Sequence, residues 1–209
     1  KHALSVSHGI ILVTGPTGSG KTTTLYAAMG EIDSKQRSVF TLEDPIEYAM
    51  ANIRQVQIKE DIGMSFAAGL RSLLRQDPDV ILVGEIRDTE TASLAVRAAL
   101  TGHAVFSTLH TNDAVGAIPR LIDMGIEPYL LPSSLVAIVA QRLVRTLCDR
   151  CKQEAPHHDF DLETLGLNMG GADVSLWQAV GCEACNHTGY QGRQAIYEVL
   201  RINDSFHDA

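Results

Sequence analysis

The chain has 209 residues, 45% of them hydrophobic and 20% charged, which is material for one large domain or one domain with a small appendage. Its net charge of −8 and pI of about 5.4 argue against a surface that tracks a nucleic-acid backbone. No run approaches the roughly 18 apolar residues of a membrane span, and no charged start leads into an apolar run and a small-residue cleavage site, so neither a transmembrane segment nor a secretory signal is expected.

In chain order, short apolar runs alternate with helical patterns, the rhythm of a mostly parallel sheet covered by helices. Residues 9–13 read as a buried strand and 22–29 as the helix after it. Residues 38–42 form a second strand, stopped by Pro45. Residues 65–75 carry Phe66, Leu70, Leu73 and Leu74 at helical spacing. A third strand, 80–83, is entered through Asp77-Pro78-Asp79; a helix over 89–100 closes at Gly102; a fourth strand covers 104–109. Asn112 or Asp113 is placed to cap a helix ending near Gly125, and Ser133 or Ser134 another that runs through Leu143 to about Thr146. From 147 to 192 cysteines, histidines and glycines replace the periodicity, and residues 194–200 alternate as a last strand.

Gly15-Pro16-Thr17-Gly18-Ser19-Gly20-Lys21-Thr22 fits GxxxxGK[ST], between a strand and a helix as a phosphate loop requires. Backbone N–H groups of such a loop wrap a phosphate, Lys21 reaches the β- and γ-phosphates, and the Thr22 hydroxyl can hold Mg²⁺. Thr23, at the start of the helix, is counted with this ATP-binding set. Ligands of parallel α/β sheets sit beyond the C-terminal strand ends. Three other strands end there in polar groups: Glu43-Asp44, Gly84-Glu85 and His110. Phosphoryl transfer to water needs a metal-holding carboxylate and a group that orients the water, so Glu43, Glu85 and His110 are the catalytic candidates. Taken singly, each acid could equally be a solvated loop charge; as a set they point to one site.

The double CxxC, Cys148-x₂-Cys151 and Cys182-x₂-Cys185, uses every cysteine of the chain. Two such turns can each offer two thiolates to one tetrahedral Zn²⁺. A helix such as Leu162–Leu167 can sit between them, while His157, His158 and His187 read as surface residues. With no polar constellation around it, this zinc is expected to be structural.

These stretches resemble a known family, the ATPases of type II secretion and type IV pilus assembly. Residues 41–47, TLEDPIE, look like its Asp box; 74–88, LRQDPDVILVGEIRD, like its Walker B region; and 101–112, TGHAVFSTLHTN, like its His box. AQRLVR at 140–145 and the four cysteines follow in the family order. The resemblance implies a RecA-like P-loop core with a tetracysteine insert. It also implies Mg²⁺ held by Thr22 and Glu85, His110 sensing the γ-phosphate, and water activated by Glu43 or Glu85. Arg71, Arg75, Arg87 and Arg120 look like the family's inter-motif and subunit-contact arginines, although each also fits a solvated charge.

The expected organisation is an ATPase core over 1–146, a zinc insert over 147–192 and a final strand opening a further region over 193–209, with an N-terminal domain outside this chain. The expected function is ATP hydrolysis by a cytoplasmic hexamer peripheral to the inner membrane. Its platform partners are reached through that N-terminal domain, with no membrane insertion and no nucleic acid. Retraction motors of pili generally lack the cysteine module, which favours secretion or pilus extension. The competing reading is a nucleic-acid translocase or DNA-transfer ATPase with a zinc ribbon. Against it stand the negative charge and an aromatic content of 5% without basic–aromatic interleaving.

Overall fold

A computed structural model describes residues 6–155, 175–203 and 206. Strand β1, Gly9–Thr14, is buried along its whole length, as a strand covered on both faces must be. It lies parallel to β5, Ala104–Leu109, with Gly9 opposite Ala104 and Thr14 opposite Leu109. Strand β4, Val80–Val83, pairs in parallel with β5 and with β2, Val39–Glu43. β2 pairs in parallel with β3, Arg54–Gln57. With β6, Leu135–Leu147, and β9, Tyr190–Arg201, these strands form one seven-stranded sheet in the order β3-β2-β4-β5-β1-β6-β9. β5 stands between β1 and β4, so the groups that follow β1 and β4 are held two strands apart with the end of β5 between them.

Alternation along β1 separates two apolar clusters, one on each face. Ile10 and Leu12 join Leu70, Ala95, Val96 and Leu121, while Ile11 and Val13 join Leu25, Met29 and Phe106. The second face is therefore covered by helix α1, Lys21–Gly30, and the first by α2, Phe66–Leu73, α3, Thr89–Leu100, and α4, Ala117–Asp123. Side-chain caps fix where two of these helices start. Ser65 Oγ accepts from Ala68 N–H at 3.2 Å at α2, and Asp88 Oδ1 accepts from Thr91 N–H at 2.8 Å at α3.

The structure corrects the pattern reading in four places. Residues 133–146 are not a helix: a single turn, α5, Leu131–Ser134, gives way to β6. Ser134 ends that turn, its hydroxyl donating to Leu131 O at 3.4 Å. β-Branched Val136, Ile138 and Val139 suit a strand, and where β6 pairs with β1, from Ile11 with Ala137 through Thr14 with Ala140, the adjacent pairs Ala137–Ile138 and Ala140–Gln141 are buried, which blurs the alternation that marks a strand. Asp113 makes a local turn, accepting from Gly116 N–H at 2.6 Å, so α4 starts four residues later at Ala117. β3 is an additional strand, whose sequence RQVQ carries a single apolar residue, Val56. The last strand is also longer than 194–200.

Two compact units divide the chain: Lys1–Arg142 with Ile196–Ala209, and Leu143–Ala195. The first holds most of the sheet and its helices. In the second, β7, Gln153–Ala155, and β8, Leu176–Gln178, form an antiparallel pair. The helix expected over Leu162–Leu167, and His157 and His158, lie outside the described residues. The sheet ends differ: β3 is four residues long with Arg54 and Gln57 exposed, whereas β9 leaves Ile196, Tyr197 and Val199 each more than half exposed. Among the described residues no helix is long and apolar enough to cross a membrane.

Candidate functional site

The loop from Gly15 to Thr22 leaves the end of β1 and enters α1. At Gly15, with φ +140°, a Cβ atom would stand 2.3 Å from Gln141 O, so only glycine lets the loop lie this close to β6. Gln141, itself buried, clamps the loop: Nε2 donates to Ser19 O at 2.7 Å and Oε1 accepts from Thr24 Oγ1 at 2.7 Å. The Lys21 ammonium donates to Gly15 O at 2.8 Å and Pro16 O at 3.1 Å, folding back across the loop. Burial lowers its pKa and the Glu85 charge works against that shift. Pro16, Thr17 and Gly18 form the exposed crest, Gly18 and Gly20 have positive φ, and Thr22 and Thr23 stand exposed in the first turn of α1. Ser19 Oγ is buried without a hydrogen-bond partner. A buried hydroxyl of this kind, inside a loop built of glycines and one lysine, suits a group rich in acceptors such as a polyphosphate.

β5 delivers His110 to the neighbouring position. Thr14 Oγ1 accepts from Thr111 N–H at 2.8 Å and donates to Leu109 O at 3.0 Å, which fixes the backbone on both sides of His110 to the end of β1. His110 Nε2 lies 3.7 Å from Glu85 Oε2, and the Arg87 guanidinium lies 2.5 Å from Glu85 Oε1. The Glu85 side chain is 14% exposed and that of His110 53%. Lys21, Glu85 and His110 are thus gathered around one mouth. Glu43 is not gathered with them by any bond. It is 3% exposed and accepts from the Tyr26 hydroxyl, from Thr41 Oγ1 and from Gln55 Nε2.

The candidate arginines are dispersed. Arg87 pairs with Glu85, Arg71 pairs with Glu90, and Arg75 and Arg120 are exposed. Sequence reasoning missed Gln141 and Tyr26. The signal for Gln141 was a lone amide at the end of the apolar run Leu135–Ala140. Tyr26 carried only its place beside Leu25 and Met29 on the buried side of α1.

In the second unit Cys148, Cys151, Cys182 and Cys185 converge, their sulfurs all within 4.8 Å of one another. Cys185 Sγ stands 3.8 Å from the sulfurs of both Cys151 and Cys182, matching the ~3.8 Å edge of a tetrahedron with Zn–S bonds of ~2.3 Å. The Cys182 backbone N–H, seconded by that of Gly189, holds the Cys185 thiol down at about 6, while burial pushes Cys151 up to about 11. Four thiols this close ionise together only beside a cation, so the donor set fits zinc. His187 is exposed and is not one of the cluster.

The profile of the family described as "Type II/IV secretion system protein" matches residues 1–209. The chain belongs to this family. Among relatives of this type II/IV secretion family member, "Type II secretion system protein E" of Aeromonas hydrophila is 57% identical over 202 residues, 97% of this chain and 40% of that protein. "Type II secretion system ATPase E" of Vibrio cholerae is 56% identical over 201 residues, 96% of this chain and 40% of its own length. The chain therefore spans about two fifths of the curated relatives it matches. Among solved structures, the pilus retraction motor PilT with bound ADP is similar with a TM-score of 0.71 and 36% identity, over 99% of this chain and 51% of that one. The VirB11 ATPase of the Brucella suis type IV secretion system gives 0.58 and 28%, over 68% of this chain and 45% of its own. The fold of this family member is accordingly the α/β, RecA-like core of secretion ATPases, joined by a cysteine cluster that can form a zinc site.

Proposed function

We propose that this chain is the ATP-hydrolysing motor of a ring-forming protein that drives assembly of a type II secretion pseudopilus or a type IV pilus. The observation that carries the reading is the grouping of Lys21, Glu85 and His110 at one end of the sheet, with Lys21 on the phosphate loop. The loop from Gly15 to Thr23 binds the phosphates through its amides, and Lys21 swings from its loop carbonyls to the β- and γ-phosphates, offsetting their charge. Thr22 and Glu85 would hold Mg²⁺, which supplies further neutralisation of the phosphates. His110 donates to the γ-phosphate from beside Glu85. Glu43 orients the attacking water, which forms the new P–O bond as the bond to the ADP oxygen breaks, and the water's proton leaves with the released phosphate. Cys148, Cys151, Cys182 and Cys185 hold a structural Zn²⁺.

The finer setting belongs to the same proposal: a homo-hexamer, cytoplasmic and peripheral to the inner membrane, docked on platform proteins through a domain outside this chain. The 57% identity to type II secretion proteins supports secretion over pilus retraction. Phosphate-release kinetics test the motor. Lys21→Ala is expected to abolish turnover and weaken ATP binding, whereas Glu85→Gln keeps binding and loses turnover. Hydrolysis at the normal rate in either variant would remove that residue from the site.

A further inference from the structure

Glu43 sits at the end of β2, three strands from β1, yet it is joined to the phosphate-loop helix by one side chain. Tyr26, five residues after Lys21 on α1, is 2% exposed and donates its hydroxyl to Glu43 Oε2. The other two donors, Thr41 Oγ1 and Gln55 Nε2, both bond to Oε1. A carboxylate offers about four acceptor positions, two on each oxygen. Oε1 is thereby filled, and the one remaining position lies on Oε2, the oxygen that the phenol holds. The phenol is itself fixed. Glu47 N–H donates to Tyr26 Oη at 3.1 Å, and the Tyr48 ring stands edge-on to the Tyr26 ring at 4.6 Å and 75°.

We propose that Tyr26 is a positioning residue for hydrolysis: its hydroxyl aims the single free acceptor of Glu43 and couples that aim to the helix that carries the phosphate loop. Burial, with the Glu43 hydrogen bond, pushes the phenol up to about 12, so it stays a donor throughout the neutral range. The inference rests on Glu43 acting on the attacking water. An acceptor that must meet water at one lone pair depends on orientation more than on charge, and loss of that orientation is read in kcat rather than in nucleotide binding.

The experiment is a double-mutant cycle on steady-state ATP hydrolysis by the full chain, with the affinity for a non-hydrolysable ATP analogue measured on each variant. Tyr26→Phe keeps the ring and is expected to lower kcat about tenfold while analogue affinity stays within about twofold. In a Glu43→Gln background the same substitution is expected to have little further effect, because nothing is left to aim. Gln55→Met, which removes a donor from the other oxygen, is expected to lower kcat less than about threefold. Unchanged kcat in Tyr26→Phe, equal losses in both backgrounds, or equal losses in Tyr26→Phe and Gln55→Met would each overturn the assignment of Tyr26. Normal turnover in Glu43→Gln would instead overturn the underlying role of Glu43, and Tyr26 with it. An inactive Glu43→Gln beside a fully active Tyr26→Phe removes Tyr26 alone.

Discussion

Gln141 shows how a single amide can decide whether a phosphate loop is formed. It donates to Ser19 O in a buried setting and accepts from Thr24 Oγ1 in a partly buried one. Leaving such groups unpaired costs about 1–3 kcal/mol each. Gln141→Ala is therefore expected to lower the melting temperature and weaken nucleotide affinity together, in contrast to Glu85→Gln, which touches turnover alone. Calorimetric titration with ADP alongside a thermal melt reads both; an unchanged pair of values would mean that the loop holds its shape without the clamp. At this scale the loop residues, Glu85 and His110 were legible because their types and spacing carry the chemistry. Gln141 and Tyr26 were not, since their roles depend on partners 122 and 17 residues away. Glu43 stands out in sequence by its type, but only its three donors reveal how little of it is left to meet water.

Among the elements, α2 and α3 carry side-chain signals for where they start, whereas α1 and α4 carry none. Ser65 and Asp88 mark their helices through side-chain caps, and Asp88→Ala is expected to destabilise the chain by about 1 kcal/mol in a denaturant melt with the slope preserved. β6 resembles a helix in sequence because burial on both faces of its first half blurs the alternation, and β3 gives little signal because its edge position needs few apolar residues. The cysteine unit follows a different logic, since four converging thiols stand where an apolar core would otherwise be sought. One zinc per chain is expected by elemental analysis. Chelation or Cys182→Ser should raise hydrogen exchange in residues around 148–151 and 182–189 while β1 and α1 keep their protection. Equal loosening of both would show that the metal holds more than its own unit.

For the molecule as a whole, the question is whether one chain makes a complete site. Among the described residues no arginine side chain bonds to the phosphate loop; Arg71, Arg87 and Arg142 are engaged with Glu90, Glu85 and Asn112 O. An arginine supplied from a neighbour contributes roughly 10³–10⁵ in rate in well-studied P-loop enzymes. Turnover per chain is thus expected to rise with protein concentration while nucleotide affinity stays constant. A turnover number independent of concentration would identify the chain as a self-sufficient hydrolase.

The two ends of the sheet bear on how this chain behaves in a tube. β3 is short and polar, with Arg54 and Gln57 in water, which discourages strand-to-strand addition. β9 is twelve residues long and shows Ile196, Tyr197 and Val199 to solvent. Precipitation of concentrated samples should begin there. A lysine at 197 in place of Tyr197 is expected to raise the solubility limit and reduce light scattering, whereas the same change at Gln57 leaves both where they were.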